Sequence, residues 1–208
     1  MSRLPIPLSL IAGFIATGLL AQTPVGTAVE TPRVRAVVVT EQPKHKSALH
    51  EHKYNRVIIY LTDGEMNYIS ENGKVEKIHF KKGDVRWFPA SAPHISENPG
   101  DKPFQMMEIE LKDKPQSPQP VISSLDPLKI DPKHYSLVFD NEYTRVLRVR
   151  FGPKENGMEH THTFENIVVY LNDQARGKAG EMRLDGPRTH TEENPLDHPV
   201  ERISVDLK

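Results

Sequence analysis

Histidines spaced to share one face of a strand occur twice in this chain. His50-Glu51-His52 and His160-Thr161-His162 stand 110 positions apart, and a further pair, His94 and His190, stands 96 apart. Side chains at i and i+2 of a strand point the same way, about 6.5–7 Å apart along it. Two imidazoles so placed can converge on one ion at nitrogen–metal distances of about 2.1 Å. The third ligand must come from another strand, with His94 the candidate for the first set and His190 for the second. The expected cofactor is a divalent transition metal (Fe, Mn, Ni, Zn or Cu), and three protein ligands leave positions open for a substrate. The competing reading is that such pairs arise by chance. It holds for a lone pair and weakens when all three positions recur together. His45, His79, His134 and His198 have no such arrangement and read as ordinary surface or loop residues.

The elements that must position these histidines are themselves duplicated. At the 110 offset Arg35 meets Arg145, Pro43-Lys44 meets Pro153-Lys154, Tyr60-Leu61 meets Tyr170-Leu171 and Asp63 meets Asp173. At the 96 offset Glu97-Asn98-Pro99 meets Glu193-Asn194-Pro195, and Ile109–Lys112 meets Val205–Lys208. The change of offset removes 14 residues from the second copy, within the segment between Gly64 and Gly83. Each copy reads as short strands. Residues 33–40 are rich in β-branched residues, 57–61 form a short apolar run, and 65–70 and 74–80 flank Asn72-Gly73, a hairpin signal. Strands follow at 85–88 and 104–111. After residue 21 no segment longer than ten residues shows a clear 3.6-residue period. The class is all-β, a sandwich or barrel.

The 208 residues carry a net charge of −1 and no cysteine. Near-neutral charge argues against a dedicated nucleic-acid binder. The missing cysteines exclude disulfide scaffolds, thiolate metal sites and cysteine nucleophiles. Residues 1–21 read as a secretory signal, with Arg3 followed by an apolar run and a small residue, Ala21, before Gln22-Thr23-Pro24. The alternative is a short membrane anchor. The mature chain is expected to be periplasmic or secreted and free of the membrane. The copies then span 26–112 and 126–208, joined by a Pro/Ser-rich linker at 113–125.

The sequence resembles the cupin superfamily, specifically its two-domain members. The family's first motif, G-x5-H-x-H-x3–4-E-x6-G, is represented by His50, His52 and Gly64. The second, G-x5-P-x-G-x2-H-x3-N, is represented by Gly83, Pro89, His94 and Asn98, with Ser91 in place of the middle glycine. The resemblance implies tandem double-stranded β-helix, or jelly-roll, barrels, the second shortened by a missing hairpin. It also implies that His50, His52 and His94 take the metal-ligand positions. The family's usual glutamate ligand would fall at Arg56 or Val57, and in the second copy at Asn166 or Ile167. Glu165 is one residue early and, by alternation, points to the other face. Either site is therefore a three-histidine site at best.

Two functions follow. One is a secreted small-molecule metalloenzyme, dioxygenase- or isomerase-like. The other is a non-catalytic ligand-binding or dimeric structural module with vestigial or structural histidines. A shortened barrel has open edges, so it is expected to lean on the first barrel or on another chain, which makes a homodimer plausible. Arg35 and Arg145 either anchor a carboxylate or form ion pairs, the latter favoured.

Overall fold

The computed structural model describes residues 28–208; the signal-like segment lies outside the described residues. In the first half the strands are β1 (Ala28–Glu30), β2 (Val34–Glu41), β3 (His50–His52), β4 (Asn55–Tyr60), β5 (Gly64–Ser70), β6 (Val75–Phe80), β7 (Val85–Phe88), β8 (Ser91–Glu97) and β9 (Phe104–Leu111). A single helical turn, α1 (Pro127–Ile130), precedes the second half. There the strands are β10 (Tyr135–Asp140), β11 (Thr144–Phe151), β12 (His160–His162), β13 (Glu165–Tyr170), β14 (Met182–Asp185), β15 (Arg188–His190) and β16 (Val200–Leu207).

Each half folds an antiparallel jelly roll from two sheets. The large sheets run β1-β2-β9-β4-β7 and β10-β11-β16-β13-β14, so they match strand for strand. The small sheets do not match. The first runs β3-β8-β5-β6, while the second holds only β12-β15. The lost strands are the pair β5–β6, as the change of offset requires. The hairpin turn differs in detail from a two-residue Asn-Gly turn. Only Gly73 has positive φ (81°), and Gly73 N–H donates to Ser70 O at 2.8 Å. A three-residue loop results, with glycine in the left-handed position.

The two large sheets pack face to face and share one core. Val57, Ile59 and Leu61 meet Ile167, Val169 and Leu171 in it, with Met107, Ile109, Ile203 and Val205. The alternate residues Ile58 and Tyr60 point into the first barrel, beside Met66, Phe80 and Met106. The β4 strand is thus buried on both faces, which is why its sequence reads as an unbroken apolar run. Trp87 packs across the junction on Phe139 and Tyr143 (centroids 6.4 and 5.8 Å), while Phe88, one residue on, faces the first barrel. The shortened copy therefore leans on the first barrel.

Ion pairs decide the role of several charged residues. Glu165 turns away from the second barrel and takes Arg33 of the first half at 3.0 Å. Arg35 bonds Glu110 at 3.2 Å across β2–β9, and Arg145 bonds Asp206 at 2.9 Å across β11–β16. Arg145 also bonds Asp126, the α1 N-cap, at 2.6 Å and is buried. Both arginines are engaged by carboxylates, as the ion-pair reading expects. His134 departs from expectation. It is buried, stacked on Phe151 and bonded to Asp131 at 2.7 Å and Glu155 at 3.2 Å.

The loops that bring the histidines together are duplicated in detail. Lys44 and Lys154 both hold left-handed backbone, φ 58° and 55°. Each stands six residues before the first histidine of its pair, where the family motif opens with glycine. Their Nζ groups donate to Pro99 O and Pro195 O at 2.6 and 2.7 Å. Asn98 Nδ2 donates to Glu41 O and Lys102 O, and Asn194 Nδ2 to Gly152 O and His198 O. One amide thus ties the start of the β2–β3 or β11–β12 loop to the loop after the third histidine.

Candidate metal centre

The structure brings the six predicted histidines together as two triads. His50 pairs with His94 across β3–β8, and His160 with His190 across β12–β15. In each triad one nitrogen from every ring lies within 4.8 Å of the others. The triads are congruent. Ring centroids stand 5.0, 4.5 and 5.3 Å apart for 50–52, 50–94 and 52–94, and 5.0, 4.6 and 5.3 Å for the equivalent pairs.

Hydrogen bonds fix the tautomers. His50 Nδ1–H donates to Ala48 O at 2.9 Å, His94 to Ala92 O at 3.1 Å and His160 to Met158 O at 2.8 Å, in each case two residues back. A proton on Nδ1 leaves Nε2 as a free lone pair, the arrangement in which imidazole ligates a metal. Burial favours the neutral form of four of the rings. Desolvation, with nearby Arg56 and the other two rings, lowers His52 to about 3. Desolvation lowers His162 to about 3 and His190 to about 4, and it also lowers His94. His190 Nε2 is buried without a partner, and His160 Nε2 and His162 Nε2 lie only 3.2 Å apart. Two lone pairs at that distance need a proton or a cation between them. The donor set therefore fits a divalent transition metal, and both triads could hold one.

What surrounds the triads differs. His50, His52 and His94 open on a cavity of about 230 Å³. Its apolar side includes Val39, Ile58, Met66, Phe88 and Met106; Tyr68 stacks on His94 at 4.3 Å. Its polar side carries Arg56 and Glu108, a buried pair at 2.9 Å. Arg56 is one of the two positions, with Val57, where the resemblance puts an acidic ligand, and a carboxylate, Glu108, comes instead from β9, near His52. Two buried donors at this cavity, Arg56 Nε and the Tyr60 hydroxyl, have no partner.

The second barrel is filled. At the positions equivalent to Ser96 and Met106 stand Glu192 and Arg202, and only about 10 Å³ is left beside His162. The Tyr135 hydroxyl donates to Glu192 and lies 3.0 Å from His160 Nε2, and Arg202 closes the network on Glu192. The sequence reading missed Glu192, Arg202, Tyr135 and Glu108, none of which recurs at both offsets.

Residues 37–110 match the family described as Cupin domain. That part of the chain is similar to a cupin domain. No curated protein matches the sequence. Among solved structures, AerE from Microcystis aeruginosa is similar with TM-score 0.63 and 12% identity, covering 90% of this chain and 98% of that one. A single-substitution variant of oxalate decarboxylase from Bacillus subtilis gives TM-score 0.59 at 11% identity, covering 85% of this chain and 69% of that one. Salicylate 1,2-dioxygenase from Pseudoaminobacter salicylatoxidans gives TM-score 0.56 at 10% identity, covering 83% and 68%. At these identities the likeness is one of fold. The neighbours extend over both halves, so the jelly-roll cupin fold is that of the whole described chain.

Proposed function

We propose that the first cupin barrel is a small-molecule metalloenzyme site in which His50, His52 and His94 hold a divalent transition metal. The observation that carries this reading is the contrast between two congruent triads, only one of which faces an open cavity. A metal bound there supplies a Lewis acid or, if redox-active, an electron-transfer centre. The B. subtilis oxalate decarboxylase is described with Mn(II) centres, which supports manganese among the candidates.

The chain's own residues shape what can enter. Arg56 Nε and the Tyr60 hydroxyl are unpaired buried donors, so they select a ligand with acceptor oxygens. The apolar wall of Ile58, Met66, Phe88 and Met106 takes the rest of the molecule and keeps water from it. Glu108, held by Arg56, is the carboxylate placed to receive a proton from a bound substrate. The N-terminal segment supports a periplasmic or secreted site.

The second barrel takes the other reading. Tyr135, Glu192 and Arg202 close its triad, which favours a structural, non-catalytic role there. The test is access to the metal. Protein loaded with one equivalent of Co(II) should change its visible spectrum on adding azide, and His50→Ala/His52→Ala should abolish the change. A Co(II) spectrum indifferent to azide contradicts an open first site.

A further inference from the structure

Loss of the hairpin does more than shorten the second barrel. It uncovers a second cavity, of about 470 Å³, lined by Tyr170, Arg176, Arg183, Glu192, Glu193 and Arg202 among others. The cavity lies against Thr191–Asn194; in the first barrel β5 pairs along His94–Glu97, the equivalent of His190–Glu193. Its ring wall changes accordingly. Tyr60 is stacked on Phe80 of the hairpin at 3.8 Å, whereas Tyr170 has the Gly177 backbone against its ring in place of an aromatic and carries the Arg183 guanidinium 5.9 Å from its ring centre.

Positive charge is in excess here. One carboxylate oxygen, Asp185 Oδ2, is shared by Arg183 Nε and Arg188 Nη2, each at 2.9 Å. Arg202 is matched by Glu192. Arg176 forms no ion pair among the described residues, and the exposed Glu193 is the remaining acid of the lining. Three guanidiniums, those of Arg176, Arg183 and Arg202, thus line the cavity against two carboxylates, Glu192 and Glu193. Two donors that border the cavity are also left without hydrogen bonds: Arg183 Nε, poorly aligned to its carboxylate, and the hydroxyl of Tyr170, a residue 2% exposed. Buried donors in a folded protein find acceptors. An acceptor-rich anion satisfies both the charge and the donors, and guanidinium forks match the oxygens of carboxylate and phosphate.

We propose that this cavity binds a small oxyanion, a carboxylate or phosphate, with Arg176 and Arg183 as its charge partners and the Tyr170 hydroxyl as a neutral donor. No histidine of either triad lines it, although it shares Arg183, Glu192 and Arg202 with the filled pocket beside His162, and it lies where the hairpin is absent.

The experiment is calorimetric titration of the full chain with malonate and, separately, with inorganic phosphate, against a chloride background. One equivalent of either should bind, and which of the two binds tighter names the anion class. Arg176→Gln, at an exposed residue that the fold does not need, should weaken binding about tenfold or more, as loss of a charge-assisted hydrogen bond does. Tyr170→Phe, which keeps the ring, should weaken it less. His50→Ala/His52→Ala should leave it unchanged. Saturation by neither anion overturns the proposal. So does an unchanged Kd in Arg176→Gln, or loss of binding in the histidine variant, which would move the anion to the first barrel.

Discussion

The Tyr135 hydroxyl lies 3.0 Å from His160 Nε2 while donating its proton to Glu192. Among the described residues no hydroxyl bonds His50 Nε2, the equivalent atom of the first triad. That phenol, with Glu192 and Arg202, separates a filled triad from an open one. Tyr135→Phe removes a buried hydrogen bond to a charged group and leaves Glu192 to Arg202 alone. It should cost about 1–3 kcal/mol in urea unfolding. An unchanged midpoint would show that the hydroxyl holds nothing together.

The Arg56–Glu108 pair is buried, so removing one partner strands a charge. Arg56→Met should cost about 3–5 kcal/mol. Replacing both, Arg56→Met with Glu108→Leu, should recover most of that. If the double variant is as unstable as the sum of the two single ones, the pair is not coupled.

Acid should destabilise the metal-free chain as the pH falls below the usual histidine range. Burial holds His52 and His162 at about 3 and His190 at about 4, and lowers His94, whereas in the unfolded chain each stands at 6.5. The unfolded state therefore takes up protons first. The histidine contribution is complete above about pH 6.5 and is lost as pH falls towards about 3. Asp206 runs the other way. Burial raises its carboxyl to about 7 despite Arg145, so the folded chain binds that proton first. One group against four leaves the net slope with the histidines. The urea midpoint should drop as the pH is lowered from about 6.5 to about 4.5. A rise over that range would contradict neutral, buried His52, His94, His162 and His190.

Backbone strain separates two glycine exchanges. Gly83 has φ 86°, and a Cβ there would come within 3.2 Å of Arg148 Nη1 and of Leu171 Cδ1 in the other half. Gly83→Ala should cost more than Gly73→Ala, where φ is 81° but the space is open and about 1 kcal/mol of strain is the whole effect. Conversely, Lys154→Gly relieves a left-handed lysine and should be neutral or stabilising by up to about 1 kcal/mol. Urea midpoints of the three variants decide both points.

The triads were legible because a period-two pattern puts His50 and His52 on one face, and duplication singled out His94 and His190. The missing hairpin was legible too, since 14 lost residues can only leave as a paired unit. What filled the space was not. Glu192 and Arg202 stand opposite Ser96 and Met106 in the repeat, so alignment gives them no signal. Glu108 alternates with apolar neighbours in the manner of a solvent-facing residue, yet β9 is covered on both faces. Which face of a strand meets water depends on the second sheet, and that packing is a property of the fold.

The most direct measurement is the metal content of the mature chain, without affinity-tag histidines, by elemental mass spectrometry. The expected result is about one equivalent of a transition metal that is lost in His50→Ala/His52→Ala/His94→Ala. At most one further equivalent should remain in that variant, belonging to His160, His162 and His190. No metal after refilling with Fe, Mn, Ni, Zn and Cu, or a metal content unaffected by replacing the first triad, would contradict a metal centre in the first barrel.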